Sequence, residues 1–468
     1  MLSMINQIYV AYRKIGERNS KKRLWLQGQS LEDAGFNVGS TYKVEFTSDC
    51  ITLTLNDSGK FKVSRKKQRN AHIQPVVDIN NQSLSEFFGH YERAKISFYV
   101  NGMIIITYHP TDKLIAQRLY SVEQAIAQRI ISIGSNAHGG GIMSSAVHEG
   151  LSNSGFKSQL VFAIEKEQKY LESSLSNSPV WSAYSLAIEG NMEEVETSLL
   201  SNVLLYEAGL PCTGASVAGR ASKKLAFAEQ HESAGRLFYS FLSHIQQINP
   251  AIVVLENVKQ YANTISLHVI LDVLNGWGYQ TDDAIRILNG RDYGSIENRE
   301  RLFMVCPTKG LDFDWQLLEN HQTVNPVTCV GDILDDVPDN SSLWSEMKGL
   351  KRKQLTDHAK GNSFKMQIVD KSSISTPVIG RGYSKIRSTE PKLNHPKDNN
   401  LLRQFTVNEH ARLKTIPEQL VSGNSKTTAH EILGQSVIYK LVSSIGHAIG
   451  QSLLSYESNQ EIKSKSVA

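Results

Sequence analysis

The stretch NVLLYEAGLPCTGASVAGR, residues 202–220, places a cysteine in a glycine-flanked loop shortly after an apolar segment. The segment NVLLY predicts a buried strand. Pro211 fixes the backbone before Cys212, while Gly214 and Gly219 leave the loop open to a substrate. Most cytosolic cysteines are small buried hydrophobes, and a nucleophile also needs cationic or dipolar groups that favour its thiolate. Taken alone, the loop therefore favours a small buried hydrophobe over a nucleophile for Cys212.

Similar apolar segments occur on both sides of this stretch and alternate with helical ones. Helical spacing of apolar residues occurs in 113–129, 234–248 and 266–278. This alternation predicts an α/β fold in which helices cover both faces of a parallel sheet, and ligands of such folds bind beyond the carboxyl ends of the strands. The predicted strands are RIISIG (129–134), QLVFAIE (159–165), AYSLAIE (183–189), NVLLYE (202–207), AIVVLENV (251–258) and RLFMVCP (301–307).

Polar or reactive residues follow several of these strands. Glu165, Cys212 and Glu256 lie at or just beyond strand ends, and the glycine-rich SNAHGGG (135–141) follows the first strand. Because parallel strands end at one edge of a sheet, we expect these groups in one crevice. Desolvation there would raise the pKa of Glu256, so that it holds a proton near neutrality. The alternative is a structural acid that caps a neighbouring helix.

Two arginines, Arg299 and Arg301, stand two positions apart in ENRERLFMV (297–305). At strand spacing both side chains point to the same side, where they can clamp an oxygen or a phosphate. The alternative is a surface ladder of ion pairs with Glu297 and Glu300.

Five short blocks, taken together and in this order, resemble those of the DNA cytosine-5 methyltransferase family. The resemblance covers residues 129–454. Thr213, Ala215, Glu297 and Gln435 depart from the family pattern, and SIGSNAHGGG (132–141) lacks the aspartate and the phenylalanine of its usual glycine loop. The blocks are PCTGAS (211–216), similar to PCQGFS; ENV (256–258); DYGSIENRERLFMV (292–305), similar to Q-x-R-x-R; RQFTVNEHARLKTIP (403–417), similar to R-x-(L/F)-T-x-x-E-x-x-R-L; and GQSV (434–437), similar to GNSV.

The resemblance implies a Rossmann-like sheet that binds S-adenosyl-L-methionine, and a covalent mechanism. Cys212 would add to C6 of a flipped-out cytosine, Glu256 would donate a hydrogen bond or proton to N3, and the arginines Arg299 and Arg301 would hold O2. Glu165 would bind the ribose hydroxyls, and Asn191 stands where the family has an aspartate at the adenine. The implied cofactor-binding residues are Gly134, Gly139, Gly140, Glu165, Asn191, Pro211, Gln435 and Ser436.

The N-terminal part of the chain contains a diverged internal repeat. LWLQGQSLEDAGFNVGSTYKVEFTSDCITLT (24–54) and VVDINNQSLSEFFGHYERAKISFYVNGMIIIT (76–107) share an apolar strand, the letters QSL, a helical turn and two alternating strands. A unit this small cannot bury a core alone, so we expect the copies to form one mainly β unit. Each copy resembles the AbrB-like swapped-hairpin fold, especially its SymE-type version, and many such folds bind nucleic acid. Lys66 and Lys67, in a linker (60–69) of net charge +6, are expected to contact DNA.

Residues 308–400 interrupt the alternating pattern with polar sequence. Twelve Lys/Arg and five Asp/Glu give residues 346–400 a net charge of +7, which suits contact with phosphates. The resemblance implies that this insert is a small target-recognition domain. Within GRGYSKIRS (380–388), the expected contacts with DNA are Arg381, Tyr383, Lys385 and Arg387.

The predicted domains are the β domain (1–112), the catalytic domain (113–307), the recognition insert (308–400), C-terminal helices that complete the catalytic domain (401–455) and a loose tail (456–468). A hydrophobic content of 40% is ordinary for a globular protein. Without an apolar run of membrane-spanning length or a secretory signal, we expect the chain in the cytoplasm, associated with the nucleoid. The four cysteines have neither metal-ligand nor disulfide spacing, so no metal is expected.

The predicted function is methylation of cytosine C5 at a specific site in duplex DNA. An RNA cytosine-5 methyltransferase of the tRNA-modifying type shares the PC and ENV blocks, but the recognition insert and the N-terminal repeat favour DNA. A second alternative is a non-catalytic DNA-binding regulator that kept the fold. The expected partners are double-stranded DNA and, within a restriction–modification pair, a cognate restriction endonuclease. The N-terminal repeat can instead serve dimerisation or folding.

Overall fold

The computed structural model of the chain describes residues 7–67, 73–211, 237–319, 327–361 and 364–467. The chain divides into two compact units, Met1–Gln117 and Arg118–Ala468. Each unit has its own buried apolar core. Among the residues that the structure describes, no helix combines the length and the apolar character needed to cross a membrane.

The N-terminal unit is mainly β, as predicted. One sheet has the strand order β1-β9-β10-β5-β4-β6, and a smaller sheet has the order β2-β3-β8-β7. Two short helices, α1 (Gln29–Asp33) and α2 (Gln82–Phe88), accompany the sheets. The strands β1 to β10 are Gln7–Lys14, Gly16–Arg18, Lys21–Gln27, Thr41–Phe46, Ile51–Leu55, Phe61–Lys62, Ser64–Lys67, Ile73–Ile79, Arg93–Tyr99 and Met103–Tyr108.

The internal repeat is visible in the order of these elements. The first copy forms β3, α1, β4 and β5, and the second forms β8, α2, β9 and β10. The copies pair with each other, β3 with β8 and β5 with β10, both antiparallel. Apolar side chains from both copies, such as Leu26 and Val77, are buried in one core. The prediction that two copies form one β unit is therefore confirmed.

The second unit is built on a seven-stranded sheet with the order β13-β12-β11-β14-β15-β17-β16. Strands β11 to β15 run parallel to one another. The predicted α/β fold is confirmed, and the predicted strands all lie in this sheet. Strands β11 to β17 are Ile130–Asn136, Lys157–Glu165, Leu186–Glu189, Leu205–Gly209, Ile252–Val258, Ile285–Asn289 and Glu300–Pro307.

The alternation of strands and helices predicted a parallel sheet, and the observed sheet is mixed, with antiparallel strands at one edge. Strand β17 is antiparallel to both β15 and β16. Strand β16 was not predicted, because its sequence IRILN contains only one pair of adjacent apolar residues, Ile287 and Leu288. The connection from β16 to β17 contains a short 3₁₀ turn, Gly290–Tyr293, and no crossover helix, so the chain returns alongside as a hairpin does.

Helices cover both faces of this sheet. Helix α3 (Pro110–Gln128) leads into the unit, followed by α4 (Ile142–Asn153), α5 (Gln168–Asn177), α6 (Leu237–Ile248) and α7 (Ile265–Gly276). Alternate residues of β15 point to opposite faces, so that Val254 joins one apolar core and its neighbours Val253 and Leu255 join the other. Both faces of β15 are thus buried in apolar cores, so its polar side chains can reach solvent only at its ends.

In the described parts of the insert between β17 and residue 400, 308–319, 327–361 and 364–400, regular structure is sparse. The insert contains α8 (Gln316–Glu319), α9 (Lys348–Ala359), β18 (Ile368–Val369) and β19 (Lys392–Asn394), and β19 pairs with β20 (Leu402–Arg403). Apolar residues of the insert share a small core with flanking segments. That core includes Ile296, Val330, Ile333, Val369, Ile379, Tyr383, Leu393, Phe405 and Leu413.

Three C-terminal helices return to the parallel sheet: α10 (Val407–Leu413), α11 (Lys426–Gln435) and α12 (Tyr439–Val467). Helix α12 packs closely on α4, where a side chain at Gly150 would collide with the Ser443 carbonyl. Residues 456–467, predicted as part of a loose tail, continue α12 to Val467. Its extension is held by the buried Tyr456 and by an ion pair of 2.8 Å between Arg129 and Glu457.

Candidate functional site

The carboxyl ends of the parallel strands bring the predicted groups to one edge of the sheet. Glu165 is the last residue of β12, and the glycine loop follows β11 directly. On the next strands, Gly209 of β14 lies beside Glu256 of β15. The strand-end argument therefore correctly placed Glu165 and Glu256 on one edge.

Glu165 is fixed against the glycine loop by backbone donors. Its Oε2 accepts a hydrogen bond from the Gly139 amide at 2.6 Å, and its Oε1 accepts one from the Glu167 amide at 2.9 Å. Burial raises the pKa of Glu165, although these two donors oppose the shift. Gly139 has a φ of 58° and open space where a side chain would stand. A carboxylate beside an open loop can accept hydrogen bonds from the hydroxyl groups of a polar ligand.

Two of the predicted cofactor glycines have packing roles. Gly134 lies inside β11, where a side chain would collide with the ring of Phe162. Gly140 permits the close approach of Ile432 on α11. Gly134 thus lies in a strand, as predicted, and this strand continues two residues further, to Asn136.

A histidine that was not predicted as a site residue organises this loop. His138 is buried, with Nδ1 2.8 Å from the Ser135 hydroxyl and Nε2 2.8 Å from the Ser174 hydroxyl. Burial lowers the pKa of His138 to about 3, so the ring is neutral and tethers the loop to α5. The only sequence signal was its place directly before GGG. Nearby, Asn136 donates to the Tyr206 hydroxyl at 2.8 Å.

The remaining predicted cofactor residues border the same edge. Asn191 is exposed two residues beyond β13 and donates to Glu194 at 3.0 Å. Gln435 ends α11 and donates to the Glu431 carbonyl at 3.0 Å. The Glu431 carboxylate accepts from Tyr170 of α5 at 3.0 Å, so the turn that contains Gln435 adjoins the helix that follows Glu165. Two others, Pro211 and Ser436, are half-buried in irregular segments that follow β14 and α11.

Further along the same edge of the sheet, Glu256 of β15 and Arg301 of β17 contact each other. Arg301 Nε lies 3.2 Å from Glu256 Oε1, and the side chains are 17% and 13% exposed. Burial raises the pKa of Glu256, while the charges of Arg301, Arg299 and Lys414 oppose the shift. A carboxyl group in this setting holds its proton to a higher pH than an exposed glutamate does. Its orientation by an arginine suits it to donate to a ring nitrogen.

Arg299 is held differently from Arg301. Its guanidinium is 3% exposed, lies 3.6 Å from Glu297 and donates to the Gly434 carbonyl at 3.3 Å. The alternative of a surface ladder of ion pairs is therefore wrong for Arg299 and Glu297. A buried lysine, Lys414, also contacts Glu297, at 2.9 Å. Nothing in the helical pattern around Lys414 had marked it for the site.

Cys212 lies outside the described residues, but the chain that leads to it is described. Asn257, the neighbour of Glu256, donates to the Leu210 carbonyl at 3.2 Å. This contact joins the ends of β14 and β15. The segment that leads into Cys212 therefore starts beside Glu256.

The structure corrects one of the predicted DNA contacts in the insert. Tyr383 is fully buried, and its hydroxyl accepts from the Phe405 amide at 2.8 Å and donates to the Pro391 carbonyl at 3.0 Å. Lys385 and Arg387 are exposed. Arg381 is also exposed, but it lies 3.5 Å from Glu167, just beyond Glu165. The basic loop thus presents its three cations to solvent and uses its aromatic residue for packing.

The two predicted DNA contacts of the N-terminal unit are exposed on an edge strand. Lys66 and Lys67 lie on β7, the edge of the smaller sheet. Lys66 donates to Gln27 at 3.0 Å, and its ammonium lies 5.7 Å from the centre of the Trp25 ring. Arg23 stacks 4.4 Å from the same ring. This face therefore combines cations with an exposed aromatic ring, a combination that suits a polyanion.

Comparisons with known proteins agree on one family. The family model described as C-5 cytosine-specific DNA methylase matches residues 144–451. The type II methyltransferase M.NlaX of Neisseria lactamica is 29% identical over 273 residues, which cover 56% of this chain and 81% of that protein. The type II methyltransferase M.HhaI of Haemophilus parahaemolyticus is 26% identical over 278 residues, or 57% of this chain and 81% of that protein.

Solved structures of two methyltransferases share the fold. The S. pombe Dnmt2 methyltransferase has a TM-score of 0.53 and 18% identity, covering 68% of this chain and 96% of that chain. The Entamoeba histolytica methyltransferase EhMeth has a TM-score of 0.54 and 16% identity, covering 69% of this chain and 98% of that chain. At these identities the likeness shows a common fold.

Proposed function

We propose residue roles from the premise that this chain belongs to the family of C-5 cytosine-specific DNA methylases and transfers a methyl group to C5 of cytosine in DNA. The observation that carries the proposal is the contact between Glu256 and Arg301, 3.2 Å apart, beside the segment that enters Cys212. A nucleophile, a proton donor and a cationic clamp are what this reaction needs at one place.

Cys212 is the proposed nucleophile. Cytosine C5 is a weak nucleophile until the ring gains electron density. The Cys212 thiolate forms a bond to C6, and the C5–C6 π electrons become available at C5. After C5 has accepted the methyl group, a base removes the C5 proton. The electrons of the C5–H bond then rebuild the C5–C6 double bond, and the bond between sulfur and C6 breaks to return the thiolate.

Glu256 and the arginines are proposed to make this addition possible. Glu256, protonated, donates to N3 and stabilises the negative charge that the ring receives from the thiolate. Arg301 orients Glu256 and binds O2. Arg299, anchored by Glu297 and the Gly434 carbonyl, fixes the segment directly before β17, the strand that carries Arg301.

S-adenosyl-L-methionine is the proposed methyl donor, and the residues of the glycine loop fit it. The Glu165 carboxylate faces the loop, as binding of ribose hydroxyls requires, and Gly139 leaves open space next to it. When bound there, the cofactor supplies an electrophilic methyl group. Asn191 and Gln435 border the same edge and are proposed to contact the rest of the cofactor.

Duplex DNA is the proposed substrate, with the insert as its reader. The target base must leave the helix to reach Glu256, at the end of a buried strand. Lys385 and Arg387 are exposed on the insert and are proposed to contact the DNA. The N-terminal unit is proposed to be an AbrB-like accessory module that binds flanking phosphates through Lys66 and Lys67. A cognate restriction endonuclease is the proposed partner, since the relatives named above are type II methyltransferases.

Transfer of tritiated methyl groups to duplex DNA, with tRNA as a parallel substrate, tests the proposal. We expect labelled DNA with the wild type and none with Cys212→Ala, which should still bind DNA. Duplexes with 5-fluorocytosine should trap a covalent adduct that survives denaturation. In this analogue C5 carries fluorine in place of the proton that a base must remove before the bond between sulfur and C6 can break. Normal turnover by Cys212→Ala, or transfer to tRNA alone, would overturn the assignment. Bisulfite sequencing of DNA from cells that express the chain would give the target site.

A further inference from the structure

Three charged side chains are buried together next to the catalytic arginine Arg301. Glu297 and Lys414 are 0% exposed, and Arg299 is 3% exposed. Lys414 Nζ lies 2.9 Å from Glu297 Oε2, and Arg299 Nη1 lies 3.6 Å from Glu297 Oε1. Buried charges are costly unless they are matched, so such a cluster needs a reason.

The cluster joins three separate segments of the chain. Glu297 belongs to the connection between β16 and β17, and Lys414 directly follows α10. Glu297 Oε1 also accepts a hydrogen bond of 2.6 Å from the Ile379 amide, which belongs to the recognition insert. The backbone of the insert pairs with the same connection, since the Asn298 amide donates to the Thr376 carbonyl at 2.9 Å. Glu297 is therefore the point where insert and catalytic strand meet.

A second contact extends this joint to the edge where the cofactor residues lie. Arg299 donates to the carbonyl of Gly434, which belongs to α11, and a side chain at Gly434 would collide with the Gly380 carbonyl of the insert. A displacement of Glu297 would thus move Arg299, the Ile379 amide and the packing at Gly434 together.

The chemistry of the cluster explains why a lysine is present. The corresponding block of the family has a neutral glutamine at the position of Glu297, and a glutamine oxygen can accept the Ile379 amide without any counter-ion. A carboxylate in the same place needs a cation. Lys414 and Arg299 lower the pKa of Glu297 in spite of its burial. The lysine is itself strained in this setting, because burial and Arg299 lower the pKa of Lys414 to about 7.

We propose that Lys414 is a positioning residue for cytosine methylation: it holds the Glu297 carboxylate in the geometry that fixes Arg299 and ties the recognition insert to the catalytic strand. The proposal rests on the role given above to Arg299 and Arg301. It assigns to the pair of Glu297 and Lys414 the function that a single neutral side chain would fulfil. The two residues should then be replaceable together but not singly.

The test is a cycle of three variants, Glu297→Gln, Lys414→Met and both together, measured by single-turnover methyl transfer at saturating DNA and by thermal unfolding. Lys414→Met leaves the buried carboxylate without its nearer cation, and Glu297→Gln leaves two cations without a carboxylate. We expect each single change to lower the rate by about 10²-fold, as displacement of a catalytic group does. The double variant should recover most of the wild-type rate.

Lys392→Met provides a matched control. Lys392 is equally buried, but its ammonium is bound by the carbonyls of Arg387 and Glu390 and makes no contact with Glu297. This variant should lower the unfolding temperature and keep the saturated rate. The contrast separates loss of a buried lysine from loss of positioning.

The outcomes distinguish this proposal from the function on which it rests. An inactive wild type would reject the proposed function itself. With an active wild type, an unchanged rate in Lys414→Met, or equal losses from Lys414→Met with and without Glu297→Gln, would overturn the positioning role. If Lys414→Met does not fold, Glu297→Gln and the double variant decide: a gain in rate on adding Lys414→Met supports the proposal, and no gain rejects it.

Discussion

The Arg301 guanidinium contacts the Glu256 carboxyl group at the carboxyl edge of the sheet, with 3.2 Å between Nε and Oε1. The contact combines two opposite influences on one acid. Burial raises the pKa of Glu256, and the positive charges of Arg301, Arg299 and Lys414 hold that rise in check. The result is an acid that keeps its proton to a higher pH than an exposed glutamate and is already oriented.

The pH dependence of methyl transfer should report this acid. The rate should fall as the pH rises through the raised pKa of Glu256, because the ionised form cannot donate to N3. Glu256→Gln can still donate a hydrogen bond but cannot ionise, so we expect a rate about 10²-fold lower and no alkaline decline from this group. Single-turnover rates across the pH range check both. Glu300→Gln, an exposed neighbour paired with Lys259, is the control, and an unchanged alkaline decline in Glu256→Gln would contradict the role.

Removal of the Arg301 charge should shift the alkaline decline of the methyl-transfer rate to a higher pH. Arg301→Met takes away the largest of the charges that lower the pKa of Glu256, so the pKa should rise further and the alkaline decline should begin at a higher pH. The rate itself should fall, since O2 loses its clamp. Arg286→Met, on the neighbouring β16 and paired with Asp283, should change neither quantity. A decline that moves to lower pH in Arg301→Met would refute the electrostatic account.

The N-terminal unit should contribute to DNA affinity and not to the chemistry. Lys66→Glu with Lys67→Glu reverses two exposed charges on an edge strand. We expect weaker DNA binding, and a slope of log affinity against log salt that is smaller by about 0.9 for each lost phosphate contact. The rate at saturating DNA should be retained. Lys14→Glu, on β1 of the other sheet and paired with Glu92, is the control, and equal losses in both variants would argue against a specific contact.

Much of this arrangement followed from the sequence because its causes are local. Apolar segments that end in Glu165 and Glu256 can be recognised one at a time, and the strand-end argument then brings them together. The repeat of the N-terminal unit could also be predicted from the sequence, since each copy has the same order of one strand, a helical turn and two further strands. These features depend on residues that are near one another in the chain.

The features that were missed depend on distant segments. Lys414 is the partner of Glu297 only because the end of α10 packs against the connection between β16 and β17, which no periodicity reveals. Tyr383 stands among basic residues in the sequence but is buried under Phe405 and Pro391. The same holds for β17, whose antiparallel direction depends on which strand it joins.

The corrected role of Tyr383 gives a separable prediction for the insert. Tyr383→Phe removes both buried hydrogen bonds of the hydroxyl, which should lower the free energy of unfolding by about 1–3 kcal/mol and leave DNA affinity unchanged. Lys385→Ala with Arg387→Ala should lower the DNA affinity and leave the free energy of unfolding unchanged, because both side chains are exposed. Thermal unfolding and DNA titration distinguish the two. Loss of affinity in a fully folded Tyr383→Phe would restore the original interpretation.

A buried acid outside the reaction, Glu207, should control the stability of the catalytic unit. It lies on β14 beside Ser135 of β11, and burial raises its pKa from 4.5 to about 7, although Ser135 and Ser144 favour the charged form. Between those two values the folded chain binds a proton that the unfolded chain has lost. Folding therefore loses stability as the pH rises through this window, by about 3 kcal/mol in all, and the loss is complete above it.

Glu207→Gln removes the titrating group and should remove this part of the pH dependence. The unfolding temperature of the variant, relative to the wild type, should rise as the pH increases from about 5 to about 8. Glu172→Gln, exposed on α5, should show no such trend. A constant difference between Glu207→Gln and the wild type would mean that Glu207 is already ionised in the folded chain, and that Ser135 and Ser144 outweigh its burial.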